Sequence, residues 1–248
     1  MVDLELDGGV AVITIDRPEA RNAIAPVTMG QLGKALDAAA GARALVVRGA
    51  GDRAFVSGGD LKQLAAIRTR EEASAMAMRM RRICDRIASF PAPVVAALNG
   101  HALGGGAEVA VAADIRVAAD DVKIGFTQCK LAIMPAWGGA ERLAALVGRS
   151  RALLLAGTGT VLDAAEAERA GLVDVVVPRS SFEERWRSLA AALATPSACE
   201  IKRVVSGTLA PAEAALAFAD LWVSDDHWKA AENATTRRPS TGAGGGCG

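Results

Sequence analysis

The chain has 248 residues, of which 51% are hydrophobic, as expected of one large globular domain or of one domain with an appendage. Its formal net charge is zero and its sequence pI is about 6.7, so the composition favours neither a nucleic-acid partner nor an anionic membrane surface. No apolar run reaches ~18 residues and no charged, apolar and small-residue leader opens the sequence, so we expect a cytoplasmic protein with no membrane segment.

The content of histidine and cysteine argues against a metal centre. Only two histidines are present, His101 and His227, so a histidine-rich metal site is not expected. The four cysteines lack the spacing of metal ligands, and we expect reduced thiols at all of them: Cys84, Cys129, Cys199 and Cys247. We therefore predict that the protein holds no metal ion.

Strand and helix patterns alternate through most of the chain, and helices alone follow. Short apolar or alternating runs predict strands at about residues 4–6, 10–15, 44–47, 54–56, 94–98, 115–118, 123–126 and 173–177. Caps, prolines and apolar periodicity predict helices at about residues 26–40, 62–67, 71–89, 109–113, 139–147, 150–156, 164–171, 182–193, 197–205 and 212–233.

This order of elements predicts an α/β fold built from a repeated unit of strand, short strand and helix. We expect residues 1–195 to form this core and residues 196–236 to form a helical region whose large apolar side chains mediate oligomerisation. Residues 237–248, rich in glycine, are typical of a flexible tail.

Two junctions between a strand and a helix are rich in glycine. The first runs from a short strand through Ser57, Gly58 and Gly59, and Asp60 is a plausible N-cap for the helix that follows. The second is the longer stretch Asn99-Gly100-His101-Ala102-Leu103-Gly104-Gly105-Gly106-Ala107-Glu108. Free backbone N–H groups occur where a helix begins, and glycine lets another molecule approach them closely. Two such junctions predict a pair of N–H donors that meet one oxygen, as in an oxyanion hole.

A carboxylate accompanies the second junction. Glu108 stands three residues after Gly105, so the two share one face of a helix. Small apolar residues surround Glu108, which favours a buried, catalytic carboxylate over a solvated one. Ser57 and His101 do not form a serine-nucleophile pair, because no G-x-S-x-G elbow is present.

Four motifs occur in a fixed order along the chain: Asp16-Arg17-Pro18 with Arg21-Asn22-Ala23, Phe55-Val56-Ser57-Gly58-Gly59-Asp60-Leu61, the stretch from Asn99 to Glu108, and Met134-Pro135-Ala136-Trp137-Gly138-Gly139-Ala140-Glu141-Arg142-Leu143. With these motifs, the chain resembles the crotonase superfamily, also called the enoyl-CoA hydratase/isomerase family. The similarity covers about residues 10–231. It implies a spiral of ββα units, homotrimers or hexamers, and an acyl-CoA thioester as substrate.

The resemblance also assigns roles to residues. By motif position, the two oxyanion donors fall on the N–H groups of Gly59 and Gly105, and the first catalytic glutamate on Glu108. The second catalytic glutamate of the family falls on Gln128, seven residues before Pro135. An amide can position water, but it cannot exchange a proton as a carboxyl group does.

The same motifs imply the residues that bind the substrate. Arg17 and Lys62 are candidates for the CoA phosphates, and Trp137 for the acyl pocket. The full set of expected binding residues is Arg17, Asn22, Ala23, Ser57, Gly58, Asp60, Leu61, Lys62, Gly104, Trp137 and Gly138. Coenzyme A would be part of the substrate, so no separate cofactor is expected.

Three functions remain open at this point. Enoyl-CoA hydratase or isomerase is placed first. Decarboxylation of a short alkylmalonyl-CoA is placed second; this reaction needs mainly the oxyanion hole. A non-catalytic acyl-CoA binder is the third. A dinucleotide-binding dehydrogenase is rejected. Gly100-x-x-x-Gly104-x-Gly106 fits its glycine loop, and Asp120 and Asp121 lie ~20 residues further on, where its ribose partner would be. However, that family carries the loop near the N-terminus and uses a catalytic tyrosine, and this sequence has neither feature.

Overall fold

Strands and helices alternate in the computed structural model, which describes residues 1–236; the predicted tail, residues 237–248, lies outside them. The strands are β1 (Val2–Asp7), β2 (Val10–Ile15), β3 (Ala44–Gly49), β4 (Ala54–Val56), β5 (Val94–Leu98), β6 (His101–Leu103), β7 (Ile115–Ala119), β8 (Lys123–Gly125), β9 (Val161–Asp163) and β10 (Val175–Val177). The helices are α1 (Pro26–Ala38), α2 (Leu61–Leu64), α3 (Arg70–Ala88), α4 (Gly105–Ala110), α5 (Gly139–Val147), α6 (Arg149–Thr158), α7 (Ala164–Arg169), α8 (Phe182–Leu193), α9 (Pro196–Val205), α10 (Pro211–Trp222) and α11 (Asp225–Thr236).

Six strands form one sheet, in the order β1-β2-β3-β5-β7-β10. The predicted hairpin of β1 and β2 is confirmed, and it turns at Gly8 and Gly9, both with positive φ. The other neighbouring strands are parallel. Every residue of β5 is buried, because a parallel sheet is covered on both faces. One cover is α8, which contacts β3, β5 and β7 and buries Phe182, Trp186 and Ala190, spaced four residues apart on one helix face.

Four short strands form a second sheet, in the order β4-β6-β8-β9. β6 and β9 are absent from the sequence prediction, which ran from β5 through glycines directly into a helix. Three residues carry too little pattern to reveal a strand, and β6 is defined by its pairing with β4 and β8. Because β4, β6 and β8 are parallel, their carboxyl ends lie at one edge of this sheet. Gly58 and Gly59, which follow β4, and Gly104–Gly106, which follow β6, therefore lie at the same edge.

The two sheets are linked by a repeated unit. A strand of the large sheet, a strand of the small sheet and a helix follow one another as β3-β4-α2, β5-β6-α4 and β7-β8-α5. The predicted fold class is thus confirmed as an α/β spiral of ββα units, followed by a helical C-terminal region.

The chain divides into two compact units, Met1–Cys199 and the residues from Glu200 onward. In the second unit, the prediction of one helix over residues 212–233 is wrong. The helix ends at Trp222 and a new one begins at Asp225, because the Ser224 hydroxyl accepts a hydrogen bond from His227 N at 3.2 Å. Trp222 stacks on His227 with ring centroids 4.6 Å apart.

Candidate active site

The first glycine junction is held in place by Ile24. Ile24 N donates to Gly58 O at 2.8 Å, and Asp60 N donates to Ile24 O at 2.9 Å. Gly58 has φ +103°, which only glycine adopts without strain. A Cβ built on Gly58 would lie 3.3 Å from Gly105 N. The two glycine junctions are therefore in contact, although Gly58 and Gly105 are 47 residues apart in sequence.

The second junction forms a tight helix start. Gly104 N donates a hydrogen bond to Gly125 O at 2.8 Å, and Ala107 N donates one to Gly104 O at 3.0 Å. Gly106 lies so close to β4 that a Cβ there would be 1.7 Å from Val56 O, which explains why this position requires glycine. Within residues 1–236, the N–H groups of Gly59 and Gly105 have no backbone acceptor. Both are therefore available as donors.

Trp137 lies against both glycines. A Cβ on Gly105 would be 2.2 Å from the Trp137 ring, and a Cβ on Gly59 would be 3.9 Å from it. The indole is 7% exposed and lines a cavity, so it is both a core side chain and part of the cavity wall. Gly138, next to it, has φ +86° and precedes α5. This backbone turn brings the following N–H groups back toward α4.

Glu108 is buried on α4, with 2% of its surface exposed. Its Oε2 accepts hydrogen bonds from Trp137 N at 2.7 Å and from Gly139 N at 3.0 Å. A Cβ on Gly139 would be 2.3 Å from the Glu108 Cγ, so this N–H approaches the carboxylate only because position 139 is glycine. Burial raises the pKa of Glu108 above the ordinary value, although the hydrogen bonds from Gly139, Trp137 and Gln128 act in the opposite direction.

Gln128 contacts Glu108 directly. It lies in the 3₁₀ turn Thr127–Leu131 and is 6% exposed. Its Nε2 donates to Glu108 Oε1 at 2.8 Å. Its Oε1 is buried and has no hydrogen-bond partner among the described residues. The sequence placed both residues in one site, and the structure shows that they form a hydrogen-bonded pair.

A cavity of about 540 Å³ joins these groups. Nine of the fifteen residues predicted for the site line it: Ser57, Gly58, Gly59, Leu61, Gly104, Gly105, Glu108, Gln128 and Trp137. Most of the remaining wall is apolar, which suits an acyl chain. The sequence reading missed one side of this wall, Ala73, Met76 and Ala77 on α3. Their i, i+3, i+4 spacing shows that they share a helix face, but not what that face contacts.

Arg17, Ala23 and Asp60 lie outside the lining and form a connected group. The Arg17 guanidinium donates to Ala23 O and pairs with Asp60 Oδ2 at 2.9 Å. This hydrogen bond lowers the pKa of Asp60, whose Oδ1 accepts from Gln63 N at 3.2 Å, so the predicted N-cap is confirmed. Arg17 thus links Ala23 to Asp60, the residue after Gly59. The binding of a CoA phosphate by Arg17 stays a prediction.

Asn22 and Lys62 complete the predicted set. Asn22 is fully buried, and its side chain accepts from Arg17 N at 2.9 Å and donates to Ala50 O at 3.0 Å and Ala54 O at 2.7 Å. It therefore fixes the loop before α1 against the start of β4. Lys62 is exposed on α2.

Among residues 1–236, no group of three or more His, Cys, Asp or Glu side chains is arranged to hold a metal ion. No helix of this part of the chain has the length and apolar character needed to span a bilayer.

The fold and the site define a class of protein, and comparison with known proteins identifies it. The family model described as enoyl-CoA hydratase/isomerase matches residues 5–221. The chain belongs to this family, the crotonase superfamily of acyl-CoA enzymes.

Individual relatives agree with this membership. A probable enoyl-CoA hydratase of Bacillus subtilis is 38% identical over 200 residues, which cover 79% of this chain and 77% of that protein. The mitochondrial methylglutaconyl-CoA hydratase of Mus musculus is 37% identical over 179 residues, 71% of this chain and 57% of that protein. The crystal structure of enoyl-CoA hydratase from Bacillus anthracis superposes with a TM-score of 0.87 at 29% identity, covering 96% of both chains.

Proposed function

We propose that this protein adds water to, or isomerises, the double bond of an enoyl-CoA thioester. The observation that carries the proposal is the buried carboxylate of Glu108, which shares one apolar cavity with two free N–H donors, those of Gly59 and Gly105. Several relatives bear names of enoyl-CoA hydratases, which supports the same reaction class.

The thioester oxygen is held by the two N–H groups. As the reaction moves electrons from the double bond onto this oxygen, the N–H groups of Gly59 and Gly105 stabilise the negative charge. Each donor of this kind contributes about 3 kcal/mol to the transition state. Coenzyme A enters as part of the substrate, and no other cofactor is required.

Glu108 moves the proton. In its ionised form it takes a proton from water as the water oxygen bonds to the β-carbon, and it then returns a proton to the α-carbon. The two steps add one molecule of water across the double bond. A pKa raised by burial suits this double role, because both protonation states are then accessible nearer to neutral pH. Isomerisation uses the same carboxyl group to carry a proton between two carbons.

Decarboxylation of an alkylmalonyl-CoA remains the second candidate, because the same N–H pair stabilises the enolate that it forms. The site is less suited to this substrate. Glu108 lines the cavity, and its carboxylate, an acceptor when ionised, does not attract a second carboxylate.

We also propose that the protein acts as a homotrimer or hexamer through its C-terminal helices. α10 and α11 expose several large apolar side chains: Leu216, Phe218, Trp222 and Trp228 are 67%, 61%, 46% and 51% exposed in the single chain. Apolar surface of this extent is typical of a protein interface. A cytoplasmic location stays a prediction.

The reaction is tested with a panel of 2-enoyl-, 3-enoyl- and alkylmalonyl-CoA thioesters, followed by mass-spectrometric identification of the products. A 3-hydroxyacyl-CoA or a shifted double bond supports the proposal. Loss of carbon dioxide alone replaces it with the decarboxylase. Binding without turnover of any member shows an acyl-CoA binder.

A further inference from the structure

The turn that leads into α5 supplies Glu108 with two backbone hydrogen bonds, and we call Trp137–Gly139 the donor turn. Trp137 N and Gly139 N both reach Oε2 of the carboxylate, at 2.7 and 3.0 Å. Gly138, between them, has φ +86°, and a left-handed residue at such a point lets the N–H groups on either side converge on one anion. The carbonyl group of Trp137 lies in the chain between the two donors. Because peptide groups are planar, its orientation is coupled to theirs.

Arg142, in the first turn of α5, holds that carbonyl group. Its Nη1 donates to Trp137 O at 3.3 Å, and its Nη2 donates to Asp85 Oδ1, on α3, at 2.6 Å. A Cβ on Gly138 would lie 2.4 Å from Arg142 Nη1, so the guanidinium lies directly against the donor turn. The arginine side chain is 20% exposed. A planar fork that is bonded at both ends has a fixed orientation, and it restrains the carbonyl group that it contacts.

Other ionisable side chains of α3 lie in the same region. Glu108 and burial together raise the pKa of the Cys84 thiol to about 12, so this group stays protonated near neutral pH. Arg81 is engaged elsewhere, since it pairs with Glu141 at 2.6 Å. Within residues 1–236, Arg142 is the one charged side chain that donates a hydrogen bond to the donor turn.

We propose that Arg142 is a positioning residue, which holds the donor turn so that both of its N–H groups stay directed at Glu108. This inference rests on the proposed function, in which Glu108 moves the proton. Arg142 does not line the cavity and exchanges no proton. It acts on Glu108 through the backbone carbonyl of Trp137.

Loss of Arg142 should change Glu108 in two ways. Burial raises the pKa of Glu108 and the hydrogen bonds from Gly139 and Trp137 lower it, so weakening these bonds raises it further. Removal of a nearby positive charge acts in the same direction. A carboxyl group that leaves its proper position also transfers protons more slowly to and from the substrate.

The chain offers a closely matched control in Arg86 on α3. Its Nη1 donates to Gly33 O at 3.2 Å and its Nη2 to Asp37 Oδ1 at 2.6 Å, both on α1. Arg86→Met therefore removes one carboxylate pair and one bond to a carbonyl group, as Arg142→Met does. The two substitutions differ in the place that they affect, because Arg86 contacts α1 and Arg142 contacts the donor turn.

The experiment measures Glu108 directly and, separately, the reaction of the full-length protein. The pKa of Glu108 is obtained from the pH dependence of its carboxyl infrared band, which is identified by subtracting the spectrum of Glu108→Gln in the same background. Turnover is measured against pH with the 2-enoyl-CoA of the panel that wild type converts fastest. The acid limb of kcat/KM reports the ionisation of the free enzyme, and kcat on the plateau reports positioning.

In Arg142→Met, the pKa of Glu108 should rise by about half a unit or more, and the acid limb should move to higher pH with it. The plateau kcat should fall about tenfold. In Arg86→Met, the pKa should stay unchanged and kcat should stay within about twofold of wild type. The inference requires both changes, so an unchanged pKa or an unchanged plateau kcat in Arg142→Met overturns it. Equal changes in Arg86→Met also overturn it, because they would report general destabilisation.

If Arg142→Met does not fold, Arg142→Lys provides the test. Lysine keeps the charge but lacks the fork that holds Asp85 and Trp137 O together, so the plateau kcat should fall by about threefold or more. A rate equal to that of wild type overturns the inference. A wild-type protein that converts no thioester overturns the proposed function, whereas the infrared comparison still decides whether Arg142 holds Glu108 in place.

Discussion

Replacing Glu108 by glutamine changes the charge of the site while keeping its hydrogen bonds. The new amide oxygen can accept from Trp137 N and Gly139 N, which now reach Glu108 Oε2 at 2.7 and 3.0 Å. Its NH₂ group then faces Gln128, whose own amide turns over and accepts with its unpartnered oxygen. All three contacts survive in this variant, so the fold and the binding of acyl-CoA should be retained.

Activity should be lost nevertheless. An amide neither takes a proton from water nor returns one to carbon, and a positioned acid or base is worth a factor of ~10²–10⁴ in rate. This corresponds to about 2.7–5.4 kcal/mol of transition-state stabilisation. Glu108→Ala behaves differently, because it leaves three donors around the site without their acceptor. At about 1 kcal/mol or more for each unsatisfied group, its free energy of unfolding should fall by about 3 kcal/mol or more.

The assay follows turnover of the best enoyl-CoA substrate by Glu108→Gln, together with KM and the denaturation midpoint of both variants. The expected pattern is an intact midpoint with strongly reduced kcat for Glu108→Gln, and a reduced midpoint for Glu108→Ala. A Glu108→Gln protein that retains about half of the wild-type rate contradicts the role assigned to Glu108. If the best substrate proves to be a malonyl thioester, retained activity instead favours the decarboxylase.

Four further predictions follow from individual contacts. Burial raises the pKa of Glu108, so the unfolded chain releases this proton at lower pH than the folded chain does. The free energy of unfolding of wild type should therefore fall relative to that of Glu108→Gln as pH rises from about 4.3 toward neutrality. A difference between the two proteins that stays constant over this range contradicts the prediction. Gly105→Ala should lower kcat/KM about tenfold or more, because its Cβ meets the Trp137 ring at 2.2 Å, and unchanged turnover argues against it. Asp60→Asn removes the ionic partner of Arg17 and should lower the free energy of unfolding by about 1–3 kcal/mol in thermal denaturation; an unchanged midpoint shows that the pair is dispensable. Light scattering at micromolar concentration should give a trimer or hexamer, and a stable monomer refutes the proposed role of the C-terminal helices.

Much of the fold could be predicted because its elements carry their own local signals. The hairpin of β1 and β2 shows alternating apolar residues around two glycines, and α3 shows the capping box of Thr69 and Glu72. The fully apolar run of β5 marks a buried strand. Such signals depend on neighbours in sequence, so they are visible before any tertiary contact is known.

The elements that were missed are defined by tertiary contacts. β6 and β9 have three residues each and exist because β8 pairs with both of them. The break between α10 and α11 depends on one serine hydroxyl, and Ser224 also fits a helix interior when its side chain points to solvent. Whether such a side chain caps a helix or points to solvent depends on tertiary packing, which hydrophobic periodicity does not reveal.

In the candidate site, too, the sequence indicates which residues lie together, but only the structure shows which of them form hydrogen bonds. The family resemblance places Glu108 and Gln128 in one site, but it does not show that these side chains, twenty residues apart, bond to each other. That bond determines which end of the amide faces Glu108. Gln128 Nε2 donates to Glu108, and its Oε1 is left buried without a hydrogen-bond partner among the described residues. An amide in place of the family's second glutamate therefore bonds to Glu108 without exchanging a proton, so every proton transfer in the proposed reaction falls to Glu108.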